Sequence, residues 1–291
     1  MKAWILAMRP KTLPAAIVPV WAGCVMAWHL SGAWRPDLAA WTLVGALAIQ
    51  IATNFFNDAV DADKGADTEK RLGPRRVTAG GMMSRRAVYG WGLAFLALAT
   101  LCGLVLWAER GWWVVAMGLP SLFLTYGYTG GPFPLAYRGM GELFVILFFG
   151  LVAVGGTVFV QLGEWREEAF WLGWQVGMLS AVLIAINNLR DREEDAGSGK
   201  RTLAVRFGAN FMRALIALLL LGPYLLLPMT MPIGVGLLLL VVPGLLWAAS
   251  IFRGVRRAEG KALNGVLARA GLHLLLFVLL FWAGLAWGAG A

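Results

Sequence analysis

Two acidic clusters stand where long apolar runs end. The first reads Asn57-Asp58-Ala59-Val60-Asp61-Ala62-Asp63, with Asp67 just beyond. The second reads Asn187-Asn188-Leu189-Arg190-Asp191-Arg192-Glu193-Glu194-Asp195. On a helix Asn57 and Asp61 are four residues apart and share a face, and Asn187, Asp191 and Asp195 repeat that spacing twice. Like charges stacked on one face repel unless something positive lies between them. Their oxygens are hard ligands and suit a hard divalent cation, Mg²⁺ foremost. Asn57, Asp58, Asp61, Asp191 and Asp195 are the candidate metal ligands. Asp63, Glu69, Glu193 and Glu194 read instead as solvated flanking charges.

Basic residues follow each cluster at short range: Arg75-Arg76 after the first, Lys200-Arg201 after the second. Acids, a divalent cation and nearby Lys or Arg together describe a diphosphate site, where the cation bridges carboxylates to phosphate oxygens and Arg or Lys neutralises the rest. No G-x-x-x-x-G-K-[ST] run is present, which argues against nucleoside triphosphates, and there is no H-E-x-x-H, nucleophile elbow or dinucleotide fingerprint.

The elements that must carry these clusters are membrane helices. The chain has 291 residues, 59% apolar and only 14% charged, against about 25% charged in a globular protein. Apolar runs near the length needed to cross a bilayer core of about 30 Å recur throughout. They predict an all-α polytopic fold with nine spans, at 13–30, 38–56, 87–107, 112–128, 143–162, 170–189, 214–231, 233–252 and 268–287, the least marked division falling at Met231-Pro232. No stretch is long and polar enough for a separate soluble domain, so residues 1–291 read as one membrane domain. The net charge of +9 would suggest nucleic acid in a soluble protein. Here, with the N-terminus inside, all but Arg35, Arg110 and Arg166 of the 25 lysines and arginines fall in the tail and the inner loops. That is a strong positive-inside signal. It places the N-terminus and both acidic clusters in the cytoplasm, the C-terminus outside, and the protein in the inner (plasma) membrane.

Cys24 and Cys102 fall within spans and read as small core residues. Trp21-Ala22-Gly23-Cys24 has the outline of a lipoprotein cleavage site, but the apolar run continues to Leu30 and Trp21 is bulky, so this reads as a retained first span. His29 and His273 have no second His or Cys nearby and do not read as ligands. An asparagine–aspartate helix end followed by a basic, Gly-containing loop occurs at 54–86 and again at 187–206. The inner loop between them, Tyr126-Gly127-Tyr128-Thr129-Gly130-Gly131-Pro132-Phe133-Pro134-Leu135-Ala136-Tyr137, breaks helix geometry repeatedly. Three such loops can meet around one central cavity, since irregular backbone near membrane depth needs protein or a wet cavity around it.

A diphosphate held at the water edge by a membrane enzyme suggests a prenyl diphosphate. The chain resembles the UbiA superfamily of intramembrane aromatic prenyltransferases over nearly its whole length. The resemblance rests on an N-D-x-x-D motif at Asn57 to Asp61 and a D-x-x-x-D motif at Asp191 to Asp195. Many members carry a further aspartate four residues after the first motif; here that position is Gly65, and Asp67 follows. This ending is similar to the menaquinone branch, as are Arg9-Pro10-Lys11-Thr12-Leu13-Pro14, Tyr128-Thr129-Gly130-Gly131-Pro132 with Gly141-Glu142, and Asn187 to Leu203. The resemblance implies Mg²⁺-dependent transfer of a polyprenyl group from polyprenyl diphosphate to 1,4-dihydroxy-2-naphthoate with loss of CO₂. It implies catalytic roles for Asn57, Asp61, Asp191 and Asp195. Diphosphate contacts would come from Arg75, Arg76, Lys200 and Arg201, and acceptor contacts from Arg9, Lys11 and Tyr128. Membrane lipid is the surrounding partner. Other acceptors, 4-hydroxybenzoate or homogentisate, stay open within the superfamily. A CDP-alcohol phosphotransferase would need D-G-x-x-A-R where Ala62-Asp63-Lys64 stand. A cation transporter would place acids mid-span rather than at one edge.

Overall fold

A computed structural model describes residues 2–65, 72–73 and 76–290; their regular structure is all helical, joined by turns and loops, with no strand among them. In chain order the helices are α1 (Lys2–Met8), α2 (Pro14–Ser31), α3 (Pro36–Asp63), α4 (Arg85–Arg110), α5 (Trp112–Gly127), α6 (Gly141–Val145), α7 (Gly156–Leu162), α8 (Glu167–Arg190), α9 (Arg192–Gly197), α10 (Leu203–Leu225), α11 (Val235–Arg257) and α12 (Leu263–Gly290). A π-helical stretch, Ile146–Gly155, joins α6 to α7. Local sequence sets the ends. Pro14 and Pro36 open α2 and α3, where a missing N–H costs nothing. Ser84 and Thr202 cap α4 and α10 by accepting from the N–H of Ala87 and Val205.

Eight of these helical segments are long and apolar enough to cross a membrane. The predicted division at Met231-Pro232 is present: α10 ends at Leu225, a tight turn follows at Leu227–Met229, and α11 starts at Val235. The departure from nine full-length spans lies elsewhere. The 112–128 run forms α5, only 16 residues and so about 24 Å long at 1.5 Å per residue. It is clipped between Gly111, at φ 72°, and the Gly/Pro-rich loop after it.

The helix α8 is the most enclosed of the spans and α4 the least. The main core gathers around α8: Val176, Val182 and Ile186 share one cluster with Met26 of α2, Leu220 of α10, and Phe277 and Phe281 of α12. Opposite faces carry exposed Leu104, Phe123, Leu218 and Leu246, an arrangement suited to lipid rather than water. The π-helical stretch meets α8 almost backbone to backbone. A Cβ on Gly150 would lie 2.2 Å from the Gly173 carbonyl oxygen, and one on Gly177 would lie 2.7 Å from that of Ile146. Cys102 is buried and Cys24 partly so, both unpaired, and His273 is buried in a hydrogen bond with Tyr224 at 2.6 Å.

Candidate active site

The last turns of α3 and α8 come together at one edge of the helical bundle. With 28 residues, α3 is about 42 Å long, more than the hydrocarbon core needs, so its final turns bearing Asn57 and Asp61 stand at the boundary. The second cluster is not one continuous helix. Asp191, at φ −93° and ψ 8°, separates α8 from α9. The i→i−4 bonds nevertheless persist on both sides, Asp191 N to Asn187 O at 2.9 Å and Asp195 N to Asp191 O at 2.8 Å. The predicted spacing survives the break.

Three loops converge on Asp61, which is buried. Arg76 Nη2 lies 3.0 Å from its Oδ2, while the Tyr137 hydroxyl donates to Oδ1 at 3.0 Å and Lys200 Nζ lies 3.4 Å from the same atom. Lys64 Nζ donates to the Thr129 carbonyl at 2.7 Å and sits 4.1 Å from the Tyr137 ring centroid, with Lys200 Nζ 5.0 Å from that centroid. The Thr129 hydroxyl donates to Asn57 Oδ1. The Arg201 backbone N–H donates to the Tyr137 carbonyl at 3.0 Å, docking the second basic loop on the Gly/Pro loop. Burial lowers the Lys64 pKa and Lys200 adds to the effect, with Asp61 opposing. Burial raises Asp195 to about 7; Lys200 opposes this, and the charges of Asp191, Glu194 and Asp61 add to it. Asp195 therefore stands within electrostatic reach of both Asp191 and Asp61.

The other expected residues take varied places. Asp191 is held by its neighbour Arg190 at 2.7 and 2.6 Å, and the third guanidinium nitrogen of Arg190 reaches Asn264 Oδ1. Asp58 was expected among the metal ligands, but both its oxygens accept backbone N–H groups, from Val77 at 3.1 Å and Thr78 at 2.8 Å. One residue's step around the helix turns it away from the Asn57–Asp61 face, and it pins the basic loop instead. Arg75, like Asp67, lies outside the described residues. The Arg201 side chain is exposed. Arg9 adopts a left-handed backbone at φ 51°, and its Nη2 reaches the Asn54 carbonyl at 3.5 Å, while Lys11 is exposed. Tyr128 is half-buried and close enough to Glu142, Asp61 and Asp195 to feel their charges. Asp63 behaves as a flanking charge, paired with Arg85 at 2.6 Å near the surface. Lys64, Thr129 and Tyr137 were given no site role from the sequence. Lys64 had a signal, lying three residues after Asp61; Thr129 and Tyr137 belong to the Gly/Pro-rich loop read as lining the cavity, but only folding brings that loop to Asn57 and Asp61.

Among the described residues no three His, Cys, Asp or Glu side chains converge closely enough to hold a metal ion by themselves. Cationic side chains lie between the acids. The donor chemistry still fits Mg²⁺ with a diphosphate. Asp61, Asp191 and Asp195 offer hard carboxylate oxygens, and Lys64, Arg76 and Lys200 match the charge of phosphate oxygens.

A model of the UbiA prenyltransferase family matches residues 16–267. The chain belongs to that family. This UbiA-family enzyme is therefore a prenyltransferase and a multi-pass membrane protein, which sets aside the transporter and phosphotransferase alternatives. It is 37% identical to the 1,4-dihydroxy-2-naphthoate octaprenyltransferase of Mycobacterium tuberculosis, with 98% of this chain and 97% of that one covered. It is 33% identical to the Escherichia coli protein of the same name, covering 76% and 73%. Its fold is similar to that of a UbiA homolog from Archaeoglobus fulgidus, solved bound to GPP and Mg²⁺. There the TM-score is 0.72, at 16% identity and with 98% and 99% of the two chains covered.

Proposed function

We propose that this prenyltransferase transfers a polyprenyl group from polyprenyl diphosphate to 1,4-dihydroxy-2-naphthoate, with loss of CO₂, to give demethylmenaquinol. The observation that carries the diphosphate site is the meeting of three loops on Asp61, where Arg76, Lys200 and Tyr137 contact one carboxylate and Lys64 stands over the Tyr137 ring. The acceptor is supported by the 1,4-dihydroxy-2-naphthoate octaprenyltransferases that are 33% and 37% identical to this chain over the aligned stretches, together with the menaquinone-like segments in the sequence.

Mg²⁺ held by Asn57, Asp61, Asp191 and Asp195 would neutralise the diphosphate and make it a better leaving group. Arg76 and Lys200, which lie against Asp61, would bind phosphate oxygens beside it, with Arg75 and Arg201 adding positive charge, and Asp58 keeps the Arg76 loop in place. As the allylic C–O bond breaks, the apolar helix walls keep water from the carbocation. The ring carbon bearing the carboxylate attacks, the new C–C bond forms, and that carboxylate leaves as CO₂. Arg9 and Lys11 steer the acid, with Tyr128 beside the ring, and the polyprenyl tail runs between helices toward lipid.

We also read α5 as a ninth crossing, with the residues forming one domain around a central cavity. Its two ends support this. Trp113 packs on Trp165 at 5.5 Å, at the edge away from the acids, and Thr129, just past the other end, bonds Asn57. A ninth crossing leaves the N-terminus and both acidic loops cytoplasmic, the C-terminus outside, and the protein in the plasma membrane, in keeping with the basic loops.

The test is purified protein in detergent with Mg²⁺, one long-chain prenyl diphosphate and a panel of aromatic acids, followed by mass spectrometry. The expected product is prenylated, decarboxylated dihydroxynaphthalene, with 4-hydroxybenzoate turned over about a hundredfold less, since a smaller ring is held out of line. Equal or greater turnover of 4-hydroxybenzoate would leave the family assignment standing and remove this acceptor.

A further inference from the structure

Glu142 is an acid that the chemistry above does not use. It stands in the first turn of α6, only 4% exposed. Its Oε1 accepts a hydrogen bond from Asn188 Nδ2 at 2.8 Å. Its Oε2 is enclosed and has no hydrogen-bond partner among the described residues. A buried acceptor left unpaired is costly and rare, and such an atom calls for a donor. The hydroxyl of Tyr128 close by also has no hydrogen-bond partner among the described residues. Gly141 is what lets that tyrosine lie against α6: a Cβ there would come within 2.9 Å of Tyr128 Oη and 3.1 Å of Ile184 Cδ1. The unpaired Glu142 Oε2 and the Tyr128 hydroxyl therefore lie in one neighbourhood without bonding each other. Asn188 lies three residues before Asp191 on α8, which puts the pair about 4.5 Å deeper than the acids along that helix. A prenyl group attached to a diphosphate at the acids would present its reactive carbon at that depth.

We propose that Glu142 receives the aromatic acceptor. Its free Oε2 accepts a hydrogen bond from a phenolic hydroxyl of the ring, Asn188 holds the carboxyl in position, and Tyr128 faces the same ring. This rests on the proposed function above. It adds the group that orients the ring and, by drawing on the hydroxyl proton, enriches the ring in electrons for attack. A site built to bond a hydroxyl discriminates strongly against a ligand that lacks it, because the buried acceptor is then left unpaired.

The test compares wild type with Glu142→Gln, separating kcat and KM for both substrates. KM for 1,4-dihydroxy-2-naphthoate should rise about tenfold or more, while KM for the prenyl diphosphate and the Mg²⁺ dependence stay within about twofold. A second arm measures inhibition by 1-hydroxy-2-naphthoate and 4-hydroxy-2-naphthoate, each missing one hydroxyl. One should bind wild type much more weakly than the other, and Glu142→Gln should close that gap. An unchanged KM for the acid, or equal changes in both substrates' KM, overturns the proposal. If Glu142→Gln does not yield folded protein, Glu142→Asp keeps the charge and withdraws it by one methylene, and the same comparison applies. Failure of the assigned acceptor shows separately, as a wild type that prenylates 4-hydroxybenzoate instead; the Glu142 comparison is then made on that acid's hydroxyl.

Discussion

At Asp61 one carboxylate serves three cationic or hydroxyl partners, and its loss would be felt by all of them. Removing one side of a buried ion pair costs about 3–5 kcal/mol, so Asp61→Asn, which keeps the shape, is the informative change. It should stay folded in detergent with a lowered melting temperature, while turnover falls about a thousandfold through lost stabilisation of the diphosphate. Glu193→Ala should remain near wild type, since that side chain is 93% exposed and, among the described residues, pairs with Arg192 alone, at 3.8 Å. Steady-state rates on both variants check this, and a Glu193 defect as deep as that of Asp61 would refute the division between the two acids. Sequence spacing was enough to expect different roles for Asp61 and Glu193, and the fold buries the first and exposes the second. It was not enough for Asp58, because adjacent residues on a helix point about 100° apart and only the folded loop shows which backbone groups await the second one.

The helices succeed by length at one end and by close approach in the middle. Apolar length made their existence legible, and the long α3 and α8 carry the acids to the edge. The contact between the π-helical stretch and α8 was hidden, because a glycine in an apolar run has no signature of its partner. Gly150→Leu should drive backbones apart and cost about 1–3 kcal/mol or more, lowering the melting temperature in detergent by several degrees. Gly90→Ala on α4 is the contrast. Nothing lies within 4 Å of a Cβ there, and replacing a helical glycine should add about 0.5–1 kcal/mol. Thermal melts of both proteins decide it; a harmless Gly150→Leu would mean the two segments are not in contact.

For the molecule as a whole, charge asymmetry governs how it sits. With 22 of the 25 basic residues assigned to one side, a cysteine introduced at Ser198 or Gly65 should resist membrane-impermeant labelling from outside intact cells and label readily in inverted vesicles. Ready labelling from outside would reverse the orientation, and with it the side on which the diphosphate is bound.

The sequence by itself determined that the chain is a bundle of membrane helices, that two acid-bearing helix ends share an edge, and that the basic loops follow them. Those properties are local: apolar length, the 3.6-residue period and charge at span ends are each written within a short window. The tertiary structure alone decided which acids face one another and which partners they take. It turned Asp58 to the backbone of Val77 and Thr78, gave Asp191 to Arg190, brought Tyr137 and Lys200 to Asp61, and left Glu142 Oε2 without a donor. Each of those pairings, apart from Arg190 with Asp191, joins residues distant in the chain, and its strength depends on a few tenths of an ångström and on exclusion of water. Neither quantity exists until the helices have packed.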